Sequence, residues 1–156
     1  MIDPTKLDLG HLSLFVGMRI NARVLSDLRG AGFEKVRESH GYVFQHLIAG
    51  PRTVTELAGL LDVTQQAASK QVTELVTLGY LKDVASTDGR ARCVALSPKA
   101  LRCIRKARAL RAKEERQLEK RYGTRSIATS RTLLADILVT LGGAHDVRHR
   151  RIRAPR

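Results

Sequence analysis

Apolar residues return every three to four positions over residues 54–78, and the phase breaks once, at Asp62. Two short helices joined by a tight turn are predicted there. Thr53 and Glu56 have the spacing of a capping box at the start of the first. Leu57, Ala58, Leu60 and Leu61 follow on the helical period, and Ala58 is small where a second helix must approach. Asp62 tolerates the left-handed conformation that a sharp turn requires, and Val63 plugs the turn into the core. Thr64 is an N-cap for the second helix. Its inward stripe is Ala68, Val72, Leu75, Val76 and Leu78, and Gly79 ends it as a C′ residue. Gln65, Gln66, Ser69, Lys70 and Thr73 are left facing outward.

Past Gly79 the pattern shortens. Residues 81–85 and 92–96 have strand length, and Thr87-Asp88-Gly89 between them is an Asp-Gly turn signal, so a hairpin is predicted. Residues 52–54 are expected to add a small third strand beside it. Arg90 and Arg92 are two apart and share a strand face. Helix, tight turn, helix and hairpin, in that order, are the parts of a winged helix-turn-helix that binds duplex DNA. On that reading the outward amides and hydroxyls read base edges: Gln pairs with adenine N6 and N7, and Ser with several bases. An isolated helix with the same face would be an ordinary solvated surface; the preceding helix and turn reverse that preference. An Arg on a protruding wing enters a narrow minor groove. Arg90 pairing with Asp88 to shape the loop is the plainer alternative, and the two are compatible if Asp88 orients Arg90 or Arg92 toward DNA.

The flanking segments are helical. Over residues 9–28, Leu12, Phe15, Val16, Met18, Ile20, Val24, Leu25 and Leu28 occupy more than one stripe. Such a helix buries two faces, one on its own lobe and one on a partner subunit, unless it is the centre of a monomer core. Arg29-Gly30-Ala31-Gly32 breaks it. Residues 33–39 are a charged connector. Ser39 or Glu38 caps a helix with Val43, Phe44, Leu47 and Ile48 inside, closed by Gly50-Pro51. Ser97-Pro98 restarts a helix with Ser at the N-cap and Pro at N1. This long helix, residues 98–122, is rich in Lys and Arg and poor in apolar residues, as a spacer between lobes is. Most of its charge is expected to face solvent and part of it DNA phosphate, with Glu115, Glu119 and Arg111 forming pairs four apart. A last helix over 125–141 carries the seam Ile127, Leu133, Leu134, Ile137, Leu138 and Leu141, which suits a dimer interface. Residues 145–156 are Arg-dense and aperiodic, which predicts disorder and either a mobile DNA clamp or a solvated tail.

The fold class expected is mainly α with a small β-wing: a winged helix-turn-helix over 33–97, a helical dimerisation region over 9–32 and 98–142, and a basic tail over 143–156. Charge sharpens the partner. Lys and Arg number 28 against 15 Asp and Glu, a formal net charge of +13. Nucleic acid and an acidic membrane surface both suit such a balance, and the helix-turn-helix selects double-stranded DNA. Residues 1–8 carry acids and no apolar core, unlike a signal peptide, and no uncharged run reaches the roughly 18 residues of a spanning helix. A cytoplasmic protein, on the nucleoid when bound and without a membrane partner, is expected.

Candidate chemistry is sparse. No Gly-rich phosphate loop and no Ser, His and Asp set accompany a nucleophile signature, so no catalytic residue and no cofactor is expected. His40 and His46, six apart, fall on different faces of a helix, and His11, His145 and His149 add no tight metal spacing, so no metal site is expected. Cys93 and Cys103 are too few for a disulfide scaffold. Arg92, Arg102 and Arg105 lie close to them in sequence and would favour a reactive thiolate if exposed; the plainer reading is two small buried residues.

The segment LAGLLDVTQQAASKQVTELVTLGYL, followed by Asp88-x-Arg90-x-Arg92-x-Val94-x-Leu96-Ser97, resembles the MarR family of bacterial transcriptional regulators. The family's wing reads Asp-x-Arg, a basic residue, and an apolar strand ending Leu-Thr; here Ser97 replaces the Thr. AGFEKVRESHGYVFQHLIAGPRTVTELA also resembles a subset of that family in which a His, here His40, begins the second helix. The resemblance runs over about residues 9–141. It implies a winged-helix homodimer joined by its terminal helices, binding a near-palindromic operator and released by a small, commonly aromatic, effector or by oxidation. Recognition helices would enter successive major grooves roughly 34 Å apart, with Thr64, Gln65, Gln66, Ser69, Lys70 and Thr73 at the DNA and Asp88, Arg90 and Arg92 on the wing. An effector pocket would lie between the first, second and long helices, with Phe15, Arg19, His40 and Phe44 as candidate lining. The reading is a DNA-binding transcriptional regulator of the repressor kind, not an enzyme. The alternative is a sequence-tolerant architectural DNA-binding protein held by phosphate contacts, against which the amide-rich helix argues.

Overall fold

The computed structural model describes residues 3–86, 89 and 91–149. The order of elements is α1 (Leu9–Gly30), α2 (Glu38–Leu47), β1 (Arg52–Thr53), α3 (Val54–Leu61), α4 (Gln65–Thr77), β2 (Leu81–Val84), β3 (Cys93–Leu96), α5 (Pro98–Tyr122), α6 (Thr124–Thr140) and α7 (Ala144–His149). The fold is mostly helical with one small antiparallel sheet, as the pattern of the chain predicts.

Local chemistry sets the helix-turn-helix. Thr53 Oγ1 accepts the Glu56 N–H at 3.2 Å, and the Glu56 carboxylate accepts the Thr53 N–H at 2.7 Å, so the capping box forms. The Thr53 backbone bond, and then its hydroxyl, hold the Glu56 carboxyl below the usual carboxylate range. Asp62 ends α3 with φ 51°, and the Val63 N–H reaches back to Ala58 C=O at 3.0 Å. Thr64 Oγ1 accepts the Ala67 N–H at 3.2 Å and starts α4. Gly79, with φ 75°, ends it, and the Tyr80 N–H bonds Leu75 C=O at 2.9 Å.

The sheet order is β1-β3-β2, with Arg52 opposite Val94 and Leu81 opposite Leu96. The third strand is two residues long, and it ties the hairpin to the start of α3. The paired strands are shorter than 81–85 and 92–96, leaving Ala85 and Arg92 beyond the ladder.

The core gathers under α4. Val43, Leu57, Val72, Leu75, Tyr80 and Val94 are all nearly or wholly inaccessible to water. Tyr80 packs against Phe44 with ring centroids 5.5 Å apart, and the Lys99 ammonium stands 4.5 Å from its ring centre. Lys99 Nζ also donates to Leu78 C=O at 2.7 Å, and Ser97 Oγ donates to Gly79 C=O at 2.6 Å while accepting the Ala100 N–H at 3.2 Å. The start of α5 is thereby fastened to the end of the recognition helix.

Two helices pack along α5. Its Cys103 and Leu110 are buried on the same side as Val24 and Leu28 of α1, and Arg23 Nε meets Glu114 at 2.9 Å. The pairs expected within α5 do not form. Glu115 and Glu119 turn instead to Arg131 of α6, and Arg111 donates to Asn21 Oδ1 of α1 at 2.6 Å. Neighbouring helices offer partners that a one-helix reading cannot see. Neither α6 nor the first half of α1 has a buried residue. Leu12, Phe15, Val16, Leu133, Leu134 and Leu138 are exposed on them, while Ile127 and Ile137 are half-buried. No helix among the described residues is long and apolar enough to cross a membrane.

The stretch expected to be disordered begins as a helix. In α7 the Val147 N–H bonds Gly143 C=O at 3.1 Å. A Cβ at Gly143 would overlap Leu138, so the glycine lets the chain fold back onto α6. One and a half turns are too short to show a period. Residues 150–156 of the tail lie outside the described residues.

Candidate nucleic-acid interface

On α4, Gln66, Lys70 and Thr73 are exposed, as are Thr64 and Gln65, and Ser69 is half-buried. Thr64 is occupied as the N-cap. Gln65 Nε2 donates to Thr55 Oγ1 of α3 at 3.3 Å. These side chains therefore share one face at the start of the helix, with Gln66 and Lys70 the two longest of them making no contact there. The arrangement presents amide and ammonium donors on a rigid rod, the chemistry that reads base edges and phosphates.

The helix is held from both sides. On one, Gln71 Nε2 donates to Ser39 C=O at 3.2 Å, and the Arg37 guanidinium pairs with Glu74. His40, fully buried, lies beneath that pair. Its Nδ1 stands 3.3 Å from the Arg37 N–H, its Nε2 3.2 Å from Arg37 Nε, and Nε2 is 3.9 Å from Glu74. A neutral imidazole has one acceptor nitrogen, so one Arg37 contact at a time is a hydrogen bond. Burial lowers the His40 pKa, the Arg37 charge lowers it further, and Glu74 opposes both. The ring is a neutral N-terminal fixture of α2, as the sequence places it, and it reaches the recognition helix through Glu74.

On the other side, Arg92 donates to both oxygens of Asp83, at 2.7 and 3.2 Å, and to Thr73 Oγ1 at 2.8 Å. Hydrogen bonding with Arg92 keeps the Asp83 carboxyl below its ordinary range. Arg92 thus links β2, the base of the wing and α4. Asp88 and Arg90 lie outside the described residues. Asp83 was missed in the sequence; the register of the hairpin, which sets Asp83 opposite Val94, is the signal that would have placed it near Arg92.

A cavity of about 380 Å³ opens between α1, α2 and α5. Leu25, Phe44 and Ile104 give it apolar walls, and Asn21, Glu38 and Arg111 give it polar ones. Asn21 Nδ2 donates to Glu38 Oε1 at 2.7 Å, and Tyr42 OH to the same oxygen at 3.1 Å. Of the four lining candidates named from the sequence, Phe44 is there. Phe15 and Arg19 are exposed on the first half of α1, and His40 faces Arg37 and Glu74, so the structure does not bring the four together. Wide apolar faces hide which side of α1 meets its own lobe; the polar contacts of Asn21 and Arg111 were invisible without tertiary placement.

Both cysteines are free. Burial pushes the Cys103 thiol up to about 11, against a smaller pull from Lys99. Arg102 and Arg105 point outward on α5 and do not activate it. Among the described residues no three His, Cys, Asp or Glu side chains are grouped to hold a metal ion.

A three-stranded wing packed behind a capped recognition helix defines a winged helix-turn-helix protein. Within that class, the model of the MarR family matches residues 37–91. The fold recurs in solved structures. A mutant of MarR from E. coli is 22% identical, with a TM-score of 0.65 over 85% of this chain and 97% of that one. MepR, a transcription regulator of the Staphylococcus aureus multidrug efflux pump MepA, is 13% identical, with a TM-score of 0.70 over 86% and 99%. The mutant E. coli MarR complexed with operator DNA is 20% identical, with a TM-score of 0.61 over 83% and 93%. The sequence matches none of the curated proteins.

Proposed function

We propose that this chain is a homodimeric transcriptional repressor that binds a near-palindromic operator. The observation that carries the reading is the free Gln66 and Lys70 on a recognition helix braced at Glu74 by α2 and at Thr73 by the wing. Such bracing fixes donors before DNA arrives, so little ordering is needed on binding. Two such helices, one turn of duplex apart, read the two half-sites. Support for the dimer comes from the exposed apolar residues of α1 and α6, a patch that a monomer in water would leave unburied. The solved operator complex of E. coli MarR has the same fold, which supports the same docking here.

The cavity between α1, α2 and α5 is the effector site on this reading. It has a volume in the ordinary range for small ligands, an aromatic wall at Phe44, and Arg111 to meet a carboxylate. A small aromatic acid that binds better to the arrangement off DNA than to the one on it lowers operator affinity; only such a difference does so.

Selection of fragments from the source genome by the purified protein, sequenced at two salt concentrations, tests the proposal. Enrichment of one near-palindrome at the higher salt, by a species sedimenting as a dimer, is the expected result. Uniform recovery of all fragments, lost together as salt rises, overturns it in favour of sequence-tolerant binding.

A further inference from the structure

Helix α5 sorts its charges by face. Its inner side carries the buried Ala100, Cys103 and Leu110. Its acids Glu114, Glu115 and Glu119 are only partly accessible, and they pair with Arg23 of α1 and Arg131 of α6. At 100° per residue, the opposite side holds Arg102, Arg105, Lys106, Lys113, Arg116 and Lys120, all exposed. No carboxylate falls among them, and none of the six forms an ion pair with a described residue. The interruptions are Ala109 and Ala112.

We propose that this outer face of α5 binds the phosphate backbone of duplex DNA without regard to sequence, as a surface separate from the recognition helix and wing. A rigid row from Arg102 to Lys120 spans about 27 Å at 1.5 Å per residue, the length of roughly eight base pairs. Like charges held in line repel one another, and a polyanion relieves that repulsion while releasing its counterions. A solvated helix face ordinarily mixes signs four apart; here the acids have been drawn off to the neighbouring helices. An anionic bilayer is the weaker match, because membrane-lying helices flank their cations with large apolar residues that insert, and only two alanines stand between these.

The test is the salt dependence of binding to a 40-base-pair duplex of random sequence, measured with the full chain. Each phosphate contact contributes about 0.9 to the slope of log affinity against log salt. A variant carrying Lys106→Ala, Lys113→Ala and Arg116→Ala is expected to lower the magnitude of that slope by about 2.7, with its circular dichroism unchanged. A Gln66→Ala, Lys70→Ala variant is expected to lower it by about 0.9 at most. Should the triple variant not fold, the single variants Lys113→Ala and Arg116→Ala, each worth about 0.9, decide the same question. An unchanged slope in folded α5 variants overturns the proposal. So does loss of binding to phosphatidylglycerol vesicles by those variants while the DNA slope stays the same, which would assign the face to lipid.

Discussion

Arg92 grips Asp83 through two nitrogens, at 2.7 and 3.2 Å, and its remaining arm reaches Thr73 Oγ1 on the recognition helix at 2.8 Å. Wing and recognition helix therefore hold one another at a fixed angle. Asp83→Ala removes the grip. The pair is partly exposed, so its loss is expected to cost only about 0.2–1 kcal/mol of stability in urea titration. Operator affinity is expected to fall further, by about tenfold or 1.4 kcal/mol, because the wing loses its bearing. Unchanged affinity would show that the clamp serves the wing alone. The low Asp83 pKa gives the clamp a pH sign: its contribution is present above the ordinary carboxylate value and is lost as pH falls through the depressed one.

Gln66 is exposed and uncommitted within the chain. Gln66→Ala is expected to weaken operator binding by about 1–3 kcal/mol, the discrimination of one good bidentate contact. Competition between operator and random duplex measures it. An equal loss on random DNA would remove Gln66 from base reading.

His40 predicts a stability loss on mild acidification. In the unfolded chain it titrates near 6.5, and in the fold burial and Arg37 hold it lower. The neutral ring's contribution is complete above pH 6.5 and declines as pH falls toward the folded value. Urea midpoints at pH 7.5 and 5.5 are expected to differ more for the native chain than for His40→Gln. Equal differences would place the titration elsewhere.

Ser97 joins two helices at once, donating to Gly79 C=O and accepting the Ala100 N–H. Ser97→Ala is expected to cost about 1–2 kcal/mol, the upper half of the range for a lost cap, because the Gly79 carbonyl loses its hydroxyl donor as well. Ser97→Thr keeps the hydroxyl and is expected to recover most of that loss. Equal costs for both variants would mean that packing, not hydrogen bonding, sets the position.

The helix-turn-helix was legible because its signals are local. Thr53 with Glu56, Asp62, Thr64 and Gly79 each act within four residues of themselves, and all five do in the fold what their neighbours in sequence imply. The central tyrosine was not legible. Tyr80 lies between a glycine and a strand, and its worth comes from Phe44 and Lys99, far away along the chain. The same holds for the partners of Arg111, Glu115 and Glu119, which sequence spacing assigned to their own helix and the fold assigned to others. The cavity between α1, α2 and α5 suffered most. Its lining depends on how α1 is rotated about its axis, and a helix apolar over a wide arc does not disclose that angle.

Cys103 combines a thiol pushed up to about 11 with burial in the core. At pH 8 about one molecule in a thousand carries the thiolate. Iodoacetamide is therefore expected to label the half-buried Cys93 first, and Cys103 only after denaturant is added, as peptide mass spectrometry reads directly. Rapid labelling of Cys103 in the native protein would overturn this and make it a candidate for oxidant sensing.

The length of α5 turns small angles into large ones. Twenty-five residues make a rod about 37 Å long, pinned at its start to the end of α4 by Ser97 and Lys99. A tilt of 5° at the far end carries the near end through about 3 Å, close to the rise of one base pair. A 5° rocking of α6 or α1 against this rod would therefore displace the start of α5, and the end of α4 fastened to it, by about 3 Å.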